Sequence, residues 1–202
     1  MPRPYNQNQV YCLMQCTNIR KILPFEMNTT CSKFILDVDT GCDDAQMIVL
    51  MVHLVKKYNK EIIGITCVDG NGELSDVVMN TLITLHQCGV KIPVYNGARC
   101  NIQGLAVKDY YFGLDALNNT QAKYSEELSP EYRNLVQPKS AFAFMTEAAQ
   151  TYGKDLALIA TGPLTNPAIA YLLDNNFPNL LGGFVLMGGN YSAIGLNHAF
   201  ST

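Results

Sequence analysis

The chain has 202 residues, a formal net charge of −3 and a hydrophobic fraction of 48%. This length and apolar content are sufficient for one domain with a buried core. The mildly negative charge disfavours nucleic acid as a partner, because such partners bind extended basic surfaces. We expect no membrane span, since the most apolar segment, residues 45–55, is short and is interrupted by Gln46 and His53.

Residues 1–32 are expected to form a flexible leader, because they are rich in Asn and Gln and contain one short apolar patch. The domain itself is expected to occupy residues 33–202. In chain order, the predicted strands are 33–38, 61–68, 92–95, 155–160 and 183–187, and the predicted helices are 43–58, 74–88, 140–152 and 166–174. Near-continuous apolar strands that alternate with helices predict an α/β fold, with an open, mostly parallel sheet and helices on both faces.

One long segment, residues 97–139, shows no helical or strand periodicity. Compact domains seldom contain such a long connection without a purpose. Two interpretations remain open at this point, a lid over an active site and a disordered surface insertion.

The most informative segment follows the first predicted strand, where four carboxylates fall within eight residues. These are Asp37, Asp39, Asp43 and Asp44. Capping of the following helix would explain Asp43 and Asp44 but not two acids at the end of a buried strand, where unpaired charge is costly. A bound divalent cation explains all four. Oxygen ligands select hard cations, and the mixed, flexible set favours calcium over magnesium.

Spacing separates this segment from two other acidic motifs. An EF-hand loop requires an acidic ligand where Gly41 stands. The phosphatases of the haloacid dehalogenase type resemble the strand and its first two acids. They usually carry Thr or Val in place of Gly41, however, and have no use for Asp43 and Asp44.

Asp-x-Asp-x-Gly-x-Asp-Asp-Ala at residues 37–45 resembles the N-terminal signature of the inosine-uridine-preferring nucleoside hydrolases. Further fragments resemble the same family in the same order. They are Gly-Asn at 70–71, the helix around Asn80, Gly-Ala at 97–98, Thr-Gly-Pro-Leu-Thr-Asn-Pro-Ala at 161–168 and Met-Gly-Gly-Asn at 187–190. Each fragment alone is weak, but their common order at strand ends makes the resemblance specific over residues 33–202.

The resemblance implies Ca²⁺-dependent hydrolysis of purine or pyrimidine ribonucleosides to ribose and free base. It implies that Asp39 is the general base and a metal ligand, and that Asp44 and the carbonyl of Thr161 are further ligands. It also implies that Asp43, Asn71 and Met187 bind the substrate. Asp37 lies deeper and is expected to orient the loop.

The family pattern continues beyond Thr202 into a Glu-Phe-Asn segment and a late His-Asp pair. We therefore expect this chain to represent the N-terminal portion of the family fold. The alternative to an enzyme is a catalytically inactive relative with a partial metal and ribose site. His198 could be mistaken for a substitute acid, but a solvated side chain near a terminus is the simpler interpretation.

Two departures from the family pattern concern the loop near residue 112. Phe112 stands where members often have His, and Ala116 stands where they have Gly, which puts the contact of this loop with the base in doubt.

Cys42 lies in the acidic segment, where neighbouring carboxylates disfavour the thiolate and argue against a nucleophile. Seven cysteines without a zinc spacing predict a reducing, cytoplasmic location. A small-molecule ribonucleoside is the expected partner, and the resemblance implies a homo-oligomer.

Overall fold

The computed structural model describes residues 31–102, 104, 108 and 110–188. The strands are β1 (Lys33–Val38), β2 (Glu61–Cys67), β3 (Val94–Asn96), β4 (Val136–Gln137), β5 (Leu156–Ala160) and β6 (Gly183–Leu186). The helices are α1 (Cys42–Lys57), α2 (Leu74–Cys88), α3 (Gln121–Glu126), α4 (Pro130–Arg133), α5 (Ala141–Tyr152), α6 (Thr165–Leu173) and α7 (Phe177–Leu180), and a 3₁₀ turn covers Gly153–Asp155.

The six strands form one parallel sheet in the order β4-β3-β2-β1-β5-β6. The chain runs outward from β1 to β4 and then returns to the other side of β1 as β5. The strand order therefore reverses between β1 and β5, and the loops that leave these two strands diverge. Open α/β sheets bind ligands in the crevice at such a switch point, outside the carboxyl ends of the strands.

Helices cover both faces of the sheet, as its apolar strands require. Leu36 and Val38 of β1 pack into the core beneath α1 and α2, whereas Ile35 packs on the opposite face beneath α5 and α6. This arrangement confirms the α/β fold predicted from the sequence.

Helix α1 begins directly after the acidic segment, with Gly41 at its N-cap. The first turn carries Asp43 and Asp44 and the last turn carries Lys56 and Lys57, in the orientation that the helix dipole favours. The carboxylates of the first turn are thereby fixed at the carboxyl edge of the sheet.

The predicted elements are confirmed, with ends that agree to within two residues. The prediction that residues 97–139 lack regular structure is wrong, because this segment contains α3, α4 and β4. These elements escaped prediction because β4 has only two residues and α3 buries none of its six. The same shortness explains why α7 was not predicted.

Residues 1–30 of the predicted leader, and His198, lie outside the described residues. Cys31 and Ser32 pack with the domain, because Cys31 is buried and the Ser32 amide donates to Asp155 Oδ1 at 2.6 Å. Among the helices that the structure describes, none is long and apolar enough to cross a membrane.

Candidate active site at the carboxyl edge of the sheet

The acidic residues predicted to be functional lie at the switch point of the sheet. Asp39 follows β1, and Thr161 follows β5 on the neighbouring strand. The Thr161 amide donates to the Asp37 carbonyl oxygen at 2.9 Å, which extends the pairing of β1 and β5 to the edge. Segments that are more than 120 residues apart in sequence therefore meet at one point.

Asp39 and Asp44 form the centre of the candidate site. Only 3% of Asp39 and 2% of Asp44 is exposed, and the two carboxyl groups are within hydrogen-bonding reach of each other. The backbone amide of Asn71 donates to Asp39 Oδ2 at 2.9 Å, and the backbone amide of Gly41 donates to Asp44 Oδ2 at 3.2 Å. The Thr161 hydroxyl donates to Asp44 Oδ1. Each carboxyl group thus has a fixed orientation.

Burial and mutual repulsion make these carboxyl groups hard to ionise in the cation-free chain. The pKa of Asp39 is held well above its ordinary value by burial and then by the charge of Asp44. The pKa of Asp44 is also raised, mainly by burial and further by the charge of Asp43, although the Thr161 hydroxyl opposes this shift. Two buried carboxyl groups with raised pKa values mark a place where a positive charge would be stabilised.

Asp37 lies beneath this pair and is completely buried. Its Oδ1 accepts hydrogen bonds from the Thr66 hydroxyl at 2.7 Å and from Asn166 Nδ2 at 2.9 Å. Within the described residues, its Oδ2 has no partner. Burial raises the pKa of Asp37 to about 7, against the effect of both hydrogen bonds. The contacts place Asp37 in a layer beneath the two carboxyl groups, and its orienting role stays a prediction.

Two glycines allow backbone and carboxylate to approach closely at the site. A methyl group added to Gly70 would lie 2.2 Å from Asp39 Oδ2. One added to Gly41 would lie 2.7 Å from Asn71 Nδ2 and 2.8 Å from Phe112 Cδ2. The absence of a side chain at these two positions is therefore required by the packing.

The atoms that could bind a metal ion here are all oxygen atoms, which suits a hard cation such as Ca²⁺. They belong to the two carboxylates of Asp39 and Asp44 and to Thr161 beside them. No group of three or more His, Cys, Asp or Glu side chains in the described part of the chain is arranged to hold a metal ion. The residues present fit part of a calcium site, and water or other polypeptide oxygens would have to complete it.

The structure brings together four of the six predicted site residues, namely Asp39, Asp44, Asn71 and Thr161. Asp43 stands beside them in the first turn of α1, with an exposed side chain. Met187 follows β6, and its backbone amide donates to the Ala160 carbonyl oxygen at 2.8 Å, one residue before Thr161. Two strand spacings, about 10 Å, separate β6 from β1, which carries the segment of Asp39. The Met187 side chain is 59% exposed.

Sequence reasoning assigned no role to Asn166 or Thr66, although both contact Asp37. Asn166 did fall inside a fragment that resembles the family. A buried amide at the start of a helix, one loop after a strand end, is the signal that could have identified it. Thr66 gave no signal, because threonine is ordinary in a strand.

The segment that follows β3 also reaches the site. Lys108 Nζ pairs with both carboxyl oxygens of Asp69 at 2.9 Å, next to Gly70. Phe112 approaches Gly41, and Ala116 is buried with a φ of 60°, a conformation in which glycine is more usual. The pKa of the Cys42 thiol is raised by burial and by the charge of Asp43, as expected for a cysteine that is not a nucleophile.

Comparison with known proteins identifies relatives over most of the domain. The family model of the inosine-uridine preferring nucleoside hydrolases matches residues 34–199. Uridine nucleosidase 1 of Arabidopsis thaliana is 31% identical over 166 residues, which make up 81% of this chain and 46% of that protein. The inosine-uridine preferring nucleoside hydrolase of Leishmania major is 28% identical over 162 residues, or 79% of this chain and 49% of that protein.

A solved structure agrees with these sequence matches. The purine-preferring ribonucleoside hydrolase from Gardnerella vaginalis superimposes with a TM-score of 0.66 at 29% identity, covering 78% of this chain and 49% of that one. The chain thus spans about half the length of the curated relatives it matches.

Proposed function

The chain belongs to the inosine-uridine preferring nucleoside hydrolase family, and from this membership we propose that it hydrolyses the N-glycosidic bond of ribonucleosides to ribose and a free base. The observation that carries the proposal is the buried pair Asp39 and Asp44 at the switch point, with Asn71 and Thr161 in contact with them. Its relatives are named for uridine, for inosine and uridine, and for purine ribonucleosides. The proposed substrate class is therefore the ribonucleoside, with either type of base.

We include Ca²⁺ in the proposal, held by Asp39, Asp44 and the Thr161 carbonyl, with further oxygen ligands to complete the site. Bound there, the ion would compensate the two carboxylates, orient the ribose hydroxyls and lower the pKa of water. The oxygen donors and the raised pKa values of both carboxyl groups support this part of the proposal.

Asp39 is the proposed general base. Water adds to C1′ of the ribose, Asp39 Oδ accepts a proton from that water, and the bond from C1′ to the base nitrogen breaks. The base leaves with the bonding electron pair and takes up a proton from solvent. The backbone amide of Asn71 holds the Asp39 carboxylate in place for this proton transfer. A base held in position reacts faster than one that must diffuse to the water.

Asp43 and Asn71 are the proposed ribose-binding side chains, with Met187 packing near the sugar. The exposed Asp43 carboxylate is accessible to a 2′-hydroxyl group. Positive charge develops on the ribose as the bond breaks, so nearby carboxylates stabilise the transition state more than the neutral sugar. Ribosides should therefore be preferred over 2′-deoxyribosides.

A second candidate function is binding of cation and ribose without turnover. The observation that favours it is the small number of ligands, since the described residues supply two carboxylates to the centre and no arrangement of three acidic, His or Cys side chains. Such a chain would act by binding or by associating with a catalytically active subunit.

We also propose a reducing, cytoplasmic location and a homo-oligomeric state. The five described cysteines are free thiols, which supports the first proposal. Half-exposed apolar side chains on α1, Val49 and Leu50, support the second.

The test is ribose release by the 202-residue chain from inosine, uridine and 2′-deoxyuridine, in Ca²⁺ and in a chelator. We expect release from the two ribosides only, and only with Ca²⁺. Asp39→Asn should reduce turnover about 10²- to 10⁴-fold, the usual contribution of a general base. Glu126→Gln, at an exposed carboxylate of α3, is the matched control and should retain parent activity.

Unchanged turnover in Asp39→Asn would contradict the assigned base. Binding of ribose in Ca²⁺ without any release would favour the second candidate. A chain that neither releases nor binds ribose would contradict both candidate functions.

A further inference from the structure

Asn166 uses its whole side-chain amide inside the fold. It is 0% exposed at the start of α6, only five residues after Thr161. Its Nδ2 donates to Asp37 Oδ1 at 2.9 Å and to the Cys67 carbonyl at 3.1 Å. Its Oδ1 accepts from the Ala98 amide at 2.8 Å. One side chain thus contacts the ends of three parallel strands, β1, β2 and β3.

These contacts lead by backbone hydrogen bonds to the carboxylate centre. The Asp69 amide donates to the Ala98 carbonyl at 2.9 Å, which holds the turn containing Asn71. The Asn71 amide in turn donates to Asp39 Oδ2. On the other side, the Thr161 amide donates to the Asp37 carbonyl. Asn166 is therefore linked to Asp39 and to Thr161 by separate routes.

The packing around Asn166 leaves little freedom for another arrangement. A methyl group on Gly97 would lie 2.2 Å from Asn166 Oδ1 and 2.3 Å from its Nδ2. Asp37 and Cys67 accept from the same Nδ2, so an isosteric carboxylate could replace the acceptor of this amide but not its donors. The chemistry of the site specifies an amide here.

We infer that Asn166 is a positioning residue, which fixes the ends of β1, β2 and β3 against the loop after β5 so that Asp39, Asn71 and Thr161 converge. It acts through these groups and does not touch the substrate or the cation. The consequence for cation binding rests on the proposed function. The consequence for the geometry of the strand ends does not.

The competing explanation is that Asn166 merely stabilises the fold, as any buried hydrogen-bonded residue does. A structural role predicts that Asn166→Ala lowers the melting temperature and nothing more. A positioning role predicts an additional and local effect on the site. Phe177→Leu is the matched control, because Phe177 is buried in the core beneath α5 and α6 and lies outside this network.

The experiment measures Tb³⁺ luminescence, as a probe of a hard-cation site, and amide hydrogen exchange in the 202-residue parent and its variants. For Asn166→Ala we expect about 10- to 100-fold weaker Tb³⁺ binding, the usual loss when a residue that orients metal ligands is removed. We also expect faster exchange at the amides of Asp69, Asn71 and Ala98. Phe177→Leu should lower the melting temperature and leave Tb³⁺ affinity at the parent value.

Asn166→Ser keeps one donor and should show a smaller loss, which also serves if the alanine variant does not fold. Parent-like Tb³⁺ affinity and parent-like exchange in folded Asn166 variants would overturn the inference. If the parent itself binds no Tb³⁺, the cation part of the proposed function fails. The exchange measurement then decides the positioning role alone, with unchanged exchange overturning it and faster local exchange supporting it.

Discussion

At the scale of single residues, the site depends on how little space and solvent surround its carboxyl groups. Asp37 and Asp39 would be costly to ionise where they lie, and their contacts compensate this cost only in part. Gly70 lies against Asp39 so closely that no side chain fits between them. Charge and packing at this point are therefore linked, and each can be tested by one substitution.

The stability of the folded chain should depend on pH through Asp37. Its pKa is about 7 in the folded chain, whereas an unfolded aspartate titrates near 4. Between these values Asp37 keeps a proton in the folded chain that it has lost in the unfolded chain, so the contribution of Asp37 to stability is fully present below about pH 4 and is lost as pH rises to about 7. Each unit of pKa difference corresponds to about 1.4 kcal/mol.

Asp37→Asn should reduce this slope, because the amide mimics the protonated acid at every pH. The measurement is urea unfolding between pH 5 and pH 8 in a chelator. Glu126→Gln, at an exposed carboxylate, should retain the parent slope. Identical slopes for parent and Asp37→Asn would show that Asp37 does not titrate in this range.

Gly70→Ala should weaken Ca²⁺ binding through Asp39. The added methyl group would lie 2.2 Å from Asp39 Oδ2, so the carboxylate must move. We expect Ca²⁺ affinity measured by calorimetry to fall about 10-fold or more. Gly183→Ala is the matched control, since its methyl group meets an ordinary 3.4 Å contact with Ala157 Cβ. Equal losses in both variants would rule out a specific effect on Asp39.

At the scale of elements, the sequence predicted the helices and strands that are long enough for their hydrophobic pattern to repeat, and it missed the short ones. Strand β1 and helix α1 were predictable because a buried strand, a Gly turn and an apolar helix follow one another. Strand β4 was not, because two residues carry no alternation. The contacts of Asn166 and Met187 depend on which strands are neighbours in the sheet. The local spacing of residues in the sequence does not give the strand order. The acids of the site were therefore predictable, whereas their supporting contacts were not.

Strand β6 forms one edge of the described sheet, and its apolar side chains remain accessible. Phe184, Val185 and Leu186 are 42–46% exposed. Exposed apolar edge strands pair with other chains. We therefore predict that the chain self-associates through this edge at micromolar concentration, and that Val185→Lys reduces the associated fraction.

Light scattering during size-exclusion chromatography measures this effect. Ile102→Lys is the control for added charge, because Ile102 is 67% exposed and follows β3, a strand that β2, β1 and β5 separate from β6. A monodisperse parent, or equal effects of both lysines, would contradict association through β6.

At the scale of the whole molecule, the fold explains why the site lies where it does. A parallel sheet brings the carboxyl ends of all its strands to one edge. The reversal of strand order between β1 and β5 opens a crevice at that edge. The segments carrying Asp39 and Thr161 meet at that crevice although they are far apart in sequence. The acidic segment and the switch point of the sheet therefore coincide.

If Asp39 and Asp44 form part of a calcium site, Ca²⁺ stabilises the folded chain, and the melting temperature with and without Ca²⁺ measures this effect. A ligand that binds only the folded chain stabilises it, by about 2.7 kcal/mol at 100 times its Kd. We predict that Ca²⁺ raises the melting temperature of the parent and has no effect on Asp44→Asn. A parent whose melting temperature does not respond to millimolar Ca²⁺, or an Asp44→Asn variant that responds equally, would contradict a calcium site formed by these residues.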